Sequence, residues 1–133
     1  MEIQLEGLCP LIQVFDMRAS LGFYRDVLGF QVTQRAPDTE DCEWCLLCRN
    51  GMEIMLNAQY ERDERPGRRD AARATAHGDT AFYVGCRDLD AAYLRLCAQG
   101  VPVDAPVVTH YGMKQLMLRD PDGYGFCLQW RAA

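Results

Sequence analysis

The chain has 133 residues, seven of them cysteine, with a formal charge of -5 and a pI near 4.9. That length fits a single domain with a real core, expected over residues 1–133, and the acidic balance argues against nucleic acid or an anionic membrane as partner, since both favour basic surfaces. No apolar run approaches the ~20 residues of a membrane span, and "MEIQLEGLCP" lacks the basic and long apolar regions of a signal peptide, so a cytoplasmic protein is the expectation.

From the N-terminus, Asp16 follows an apolar strand and opens a helix whose apolar spacing runs through Leu21, Tyr24 and Leu28, with Gly29 as a left-handed stop. "FQVTQR" follows as a strand. The next stretch, "CEWCLLC", spaces Cys42, Cys45 and Cys48 like the start of an iron–sulfur site, but the fourth cysteine is missing. Read as a strand, it turns Cys45 to the opposite face from Cys42 and Cys48. Seven cysteines, an odd number at irregular spacing, read as free thiols in a reducing compartment. "WCLLCRNGMEIMLN" completes the first set of strands. Residues 59–78 form a connector in which "ERDERPGRRD" sets four acids against four arginines. That local neutrality reads as a solvated linker or short helix, with a lid over a pocket as the alternative.

The plan then repeats. In "VGCRDLDAAYLRLCAQGVPV", Asp88 stands for Asp16, Ala92, Leu96 and Cys97 supply the apolar positions, and Gly100 and "VPV" take the places of Gly29 and the second strand. "KQLMLRDPDGYGFCLQW" supplies two final strands around a DPDG turn. The expected architecture is α+β: two tandem β-α-β-β-β units, one over about 7–58 and one over about 79–131. A single unit exposes an apolar sheet face that it cannot bury, so two must pack, within the chain or across a dimer.

Paired units carrying "SLGFYRDVLGF" and "DPDGYGF" resemble the vicinal oxygen chelate superfamily, which includes glyoxalases, extradiol dioxygenases and bleomycin-resistance proteins. The resemblance covers nearly the whole chain. It implies curved mixed sheets enclosing a cup-shaped cleft, which in many members holds a divalent metal. The family's ligand positions fall on Cys9, seven residues before Asp16, on Ala81, seven before Asp88, and on Met55 and Cys127 in the closing strands. The expected His, Gln and Glu are all replaced. Hard or borderline divalent ions want oxygen and imidazole donors, so no metal and no cofactor is expected. A vacated site should also shed its carboxylates, because an unpaired buried charge is strongly destabilising.

Two alternatives keep chemistry in the cleft. A relocated metal site could draw on Glu53, His77 or His110, although both histidines lie in apparent loops. A nucleophilic Cys9 or Cys127 would need a nearby base or positive charge, and none is visible in the sequence. No catalytic residue is assigned. Strand alternation from the vacated positions leads through Leu11 to Gln13 and Phe15, from Ala81 to Tyr83, and from Cys127 to Gln129. The resemblance adds Met113, Gln115 and Met117. With Met55 and Cys127 as lining, this mix of rings, thioethers and amides suits a small organic molecule, cationic or aromatic.

The expected function is that of a metal-free small-molecule-binding protein of bleomycin-resistance character, sequestering or carrying its ligand, and forming a homodimer. The alternative is a metal-dependent lyase, isomerase or dioxygenase with displaced ligands. A third possibility is a cleft filled by its own side chains.

Overall fold

The computed structural model describes residues 1–133. Their contacts divide into two compact units, Met1–Gly67 and Arg68–Ala133.

The first unit runs through strand β1 (Leu11–Val14), helix α1 (Met17–Leu21) continued by a π-helical segment Gly22–Val27, then β2 (Gln31–Ala36), β3 (Trp44–Arg49) and β4 (Met52–Ala58). The sheet order is β1-β4-β3-β2, with β1 parallel to β4 and the other pairs antiparallel. Asp16 starts the helix because its carboxylate accepts from the backbone N–H of Arg18 at 3.1 Å and of Ala19 at 3.3 Å. These donors have no partner within the helix. Gly29, at φ +82°, ends it. Alternation along the strands sends Ile12, Val14, Cys45, Leu47, Ile54 and Leu56 to one face, where they are buried along with Leu21 and Tyr24 of the helical segment.

The second unit contains α2 (Ala71–Ala76), β5 (Ala81–Gly85), α3 (Leu89–Ala98), β6 (Val107–Val108), β7 (Met113–Arg119) and β8 (Gly125–Arg131). Its order, β5-β8-β7-β6, with β5 parallel to β8, repeats the first sheet. Asp88 caps α3 by accepting from Ala91 N–H at 3.0 Å, and Gly100 at φ +74° follows the helix. The helix packs on β7 and β8 over a core that includes Leu89, Leu96, Leu116, Leu118 and Phe126. Each unit is thus an α+β open mixed sheet with the expected β-α-β-β-β plan.

Two local expectations are corrected. "VPV" forms no strand, and the edge strand is the two-residue β6, with Val107 opposite Gln115. Pro102 and Pro106 have no N–H to give a ladder, so pairing starts only after the second of them. Cys42, for its part, does not share a face with Cys48. It lies before β3 and, like Cys45, is buried. Alternation governs only residues inside the strand. All seven cysteines are unpaired, and no helix is long and apolar enough to cross a membrane.

The DPDG turn is the most heavily tied point of the second unit. The buried Asp120 carboxylate accepts from Asp122 N–H at 2.9 Å and Tyr124 N–H at 2.8 Å. Gly123 has φ +90°, and a Cβ there would strike the Ala74 carbonyl at the end of α2. From the same segment His77 stacks on Tyr124 at 4.1 Å, and its Nδ1 donates to the Asp122 carbonyl at 2.7 Å. Arg69 reaches the Asp122 carboxylate at 3.4 Å. The charged connector therefore ends in a short helix, capped by Asp70, that braces this turn.

Candidate functional site

Alternation leaves each sheet a second face, opposite its buried one. In the second unit the register aligns Tyr83, Cys127 and Met117 on one rung across β5, β8 and β7. The next rung aligns Gln129 with Gln115 and Val107, and Met113 lies beyond it on β7. Tyr83 is 59% and Met117 53% exposed, whereas Cys127 between them is 0% exposed. Burial pushes the Cys127 thiol up from its ordinary range. It is therefore disfavoured as a thiolate, the form needed both for nucleophilic attack and for metal ligation.

The amide rung is bonded internally. Gln115 Nε2 donates to Gln129 Oε1 at 3.1 Å and to the Tyr111 hydroxyl at 3.2 Å. Tyr111, absent from the sequence-derived set, sits in the turn between β6 and β7, where no alternation could place it.

In the first unit the corresponding face carries Leu11 and Gln13 of β1 beside Met55 and Asn57 of β4, with Leu46 and Trp44 next in register. Asn57 Nδ2 donates to Gln13 Oε1 at 3.4 Å. Asn57 was also missed, though it shares the parity of Glu53 and Met55 and was legible from it. Glu53 accepts from Cys48 Sγ at 3.8 Å. Burial first, then the charges of Glu53 and Cys48, push the Cys9 thiol up. Phe15 lies past the last residue of β1, edge-on to Tyr60 at 6.2 Å and 5.5 Å beneath the Arg65 guanidinium. There it lines a cavity of about 430 Å³ with Arg18, Asp41 and Arg62, crosslinked by Arg18–Asp41 at 2.6 Å and Arg65–Asp16 at 3.2 Å.

Cys9, Met55, Ala81 and Cys127, the positions that the resemblance assigns to metal ligands, thus carry two thiols, a thioether and a methyl group, and both thiols are biased toward the protonated form. This set does not fit a hard or borderline divalent ion. Of the relocated candidates, His77 is engaged by the DPDG turn. His110 packs edge-on against Tyr111 at 5.1 Å. Within either unit no three His, Cys, Asp or Glu side chains are grouped to hold a metal.

The model of the Glyoxalase/Bleomycin resistance protein/Dioxygenase superfamily matches residues 8–128. No curated protein matches the chain in sequence. Among solved structures, TioX from Micromonospora sp. ML1 superposes with a TM-score of 0.73 at 16% identity, covering 95% of this chain and 98% of its own. Lactoylglutathione lyase from Agrobacterium tumefaciens gives 0.68 at 20% identity, covering 95% and 94%. A glyoxalase/bleomycin resistance protein from Streptomyces sp. CB03234 gives 0.60 at 25% identity, covering 92% and 97%.

Proposed function

Since the chain belongs to the Glyoxalase/Bleomycin resistance protein/Dioxygenase superfamily, we propose that it is a metal-free binding protein that sequesters or carries a small organic ligand. The observation that carries this reading is the rung Tyr83–Cys127–Met117. A ring and a thioether stand exposed on either side of a sealed thiol, at a position where the family places a carboxylate ligand. Aromatic and thioether groups left in water are stabilised by covering them with a planar apolar body. The reading includes a cytoplasmic setting, which suits seven unpaired thiols. It also includes a homodimer, supported by the exposed apolar side chains of Ile3, Leu5, Leu8 and Leu11.

The test is an unbiased mass-spectrometric inventory of small molecules and metals retained by untagged protein. Titration of any retained compound against the parent and Tyr83→Ala follows. Loss of the stacking ring should weaken binding by about 0.5–1.5 kcal/mol beyond the lost area. Equal binding to both proteins would remove Tyr83 from the site. Sedimentation should give a dimer, and a species of 15.1 kDa would refute that part.

A second reading, a metal-dependent lyase, isomerase or dioxygenase with displaced ligands, draws on one observation: the Glu53 carboxylate, 3.8 Å from Cys48 Sγ, shares the strand parity of Met55. Stoichiometric zinc, nickel, manganese or iron, lost on Glu53→Ala, would establish it.

A further inference from the structure

We infer that the exposed face of the second unit recognises a neutral amide edge, that of a lactam, imide or carboxamide carried on a planar ring. This rests on the small-molecule-binding reading and names the class of ligand. Gln115 and Gln129 stand directly opposite on β7 and β8. Gln115 uses its two N–H donors on Tyr111 and Gln129. Its own Oε1 and the Nε2 of Gln129 are left without a protein partner. Turning both amides over reverses the bonds, with Tyr111 O–H and Gln129 N–H donating to Gln115. That arrangement frees a Gln115 N–H and the Gln129 carbonyl instead. In either orientation the pair presents one donor beside one acceptor, the complement of an N–H and C=O held side by side.

The same device recurs in the first unit. Asn57 and Gln129 each lie two residues beyond Met55 and Cys127 on their strands. Asn57 is bonded to Gln13 so that Gln13 Nε2 and Asn57 Oδ1 are again the unused atoms. In the second unit the neighbouring rung supplies Tyr83 and Met117 for the plane of a ring. By parity this face holds Arg119 and Arg131 and no carboxylate, so a cation would find no counter-charge on it. A ligand that covers the rung and lacks the N–H leaves a desolvated carbonyl unpaired, and sites built this way discriminate strongly against such analogues.

The test compares isoquinolin-1(2H)-one with its N-methyl derivative, titrated into the full-length protein and followed by side-chain amide resonances. The lactam should bind at least about tenfold more tightly than the N-methyl compound. The double variant Gln115→Met/Gln129→Met, which removes the accepting oxygen in either orientation of the pair, should erase that difference. Gln129→Glu, which keeps the size but puts an acceptor where the ligand carbonyl needs a donor, should weaken both compounds and leave the preference for the N–H in place, with thermal melting confirming that the variants are folded. Equal binding of the two compounds with Tyr83 and Met117 still perturbed would overturn the amide inference while leaving the ligand-binding reading intact. Failure of isoquinolinone, phthalimide and benzamide to bind at all would also overturn it, and the inventory of retained molecules would then judge the broader reading alone.

Discussion

Restoring the family carboxylate at the sealed position, Cys127→Glu, should unfold the second unit more readily rather than rebuild a metal site. Cys127 is fully buried on its rung between Tyr83 and Met117. A larger side chain there overpacks the face by about 1–3 kcal/mol, and a carboxylate loses its hydration as well. If burial raises the glutamate by about two pKa units above its ordinary ~4.3, the charge term is about 2.7 kcal/mol. A raised folded-state pKa means that this stability is intact below about pH 4.3 and is lost as pH rises through the folded value. Cys127→Gln, of equal size, isolates the packing term, so the Glu and Gln variants should match near pH 4 and separate by about 2–3 kcal/mol at pH 8. Urea unfolding followed by the fluorescence of Trp130, three residues along on β8, reads the difference. An ion held with micromolar Kd would return about 2.7 kcal/mol at 100 μM. Zinc, nickel and manganese should return none, because Tyr83 and Met117 on the same rung and Ala81 on the next offer no imidazole or carboxylate. Flat and equal pH profiles for the two variants would show that the position is solvated, and metal-dependent recovery would show that other donors complete a site.

Asp120→Ala leaves two backbone N–H groups of the DPDG turn without their carboxylate. It should lower stability by about 3 kcal/mol, read by chemical denaturation. Gly123→Ala places a Cβ against the Ala74 carbonyl at φ +90°, and a loss of at least about 2 kcal/mol with detachment of His77 from Tyr124, seen by NMR, is expected. Thiol titration at pH 8 should label the exposed Cys97 first. Cys42, Cys127 and Cys45, the last pushed up to about 12 mainly by burial, should react only on unfolding. Arg18 holds the Asp41 carboxyl below its ordinary value, and Arg25 does the same for Glu40. Their contribution is present above about pH 4.5 and is lost as pH falls through the lowered values. Thermal melting should therefore drop on acidification, less steeply in Asp41→Asn.

Much of this molecule is legible in its sequence because the signals act over a few residues. Asp16 and Asp88 as helix caps, Gly29 and Gly100 after the helices, and the DPDG turn each act through backbone groups within a turn of themselves, so the repeat announces itself. The parity of Gln13, Met55, Gln115 and Gln129 likewise follows from the two-residue period of a strand. Alternation ends with the strand, however, so Phe15 and Cys42 escaped it, and Pro102 and Pro106 displaced the second unit's edge strand to Val107. The widening of the first helix into a π turn had no signal in a pattern that reads equally well at ordinary helical spacing. Above all, which amide meets which is a matter of register between segments far apart in the chain. Only the assembled sheets bring Gln115 against Gln129 and Gln13 against Asn57, place Tyr111 at the end of that ladder, and close Cys127 off from water. Cross-strand pairing depends on bulges, turns and packing summed over a whole unit, and that sum decided which polar atoms were satisfied within the sheet and which were left open on its face.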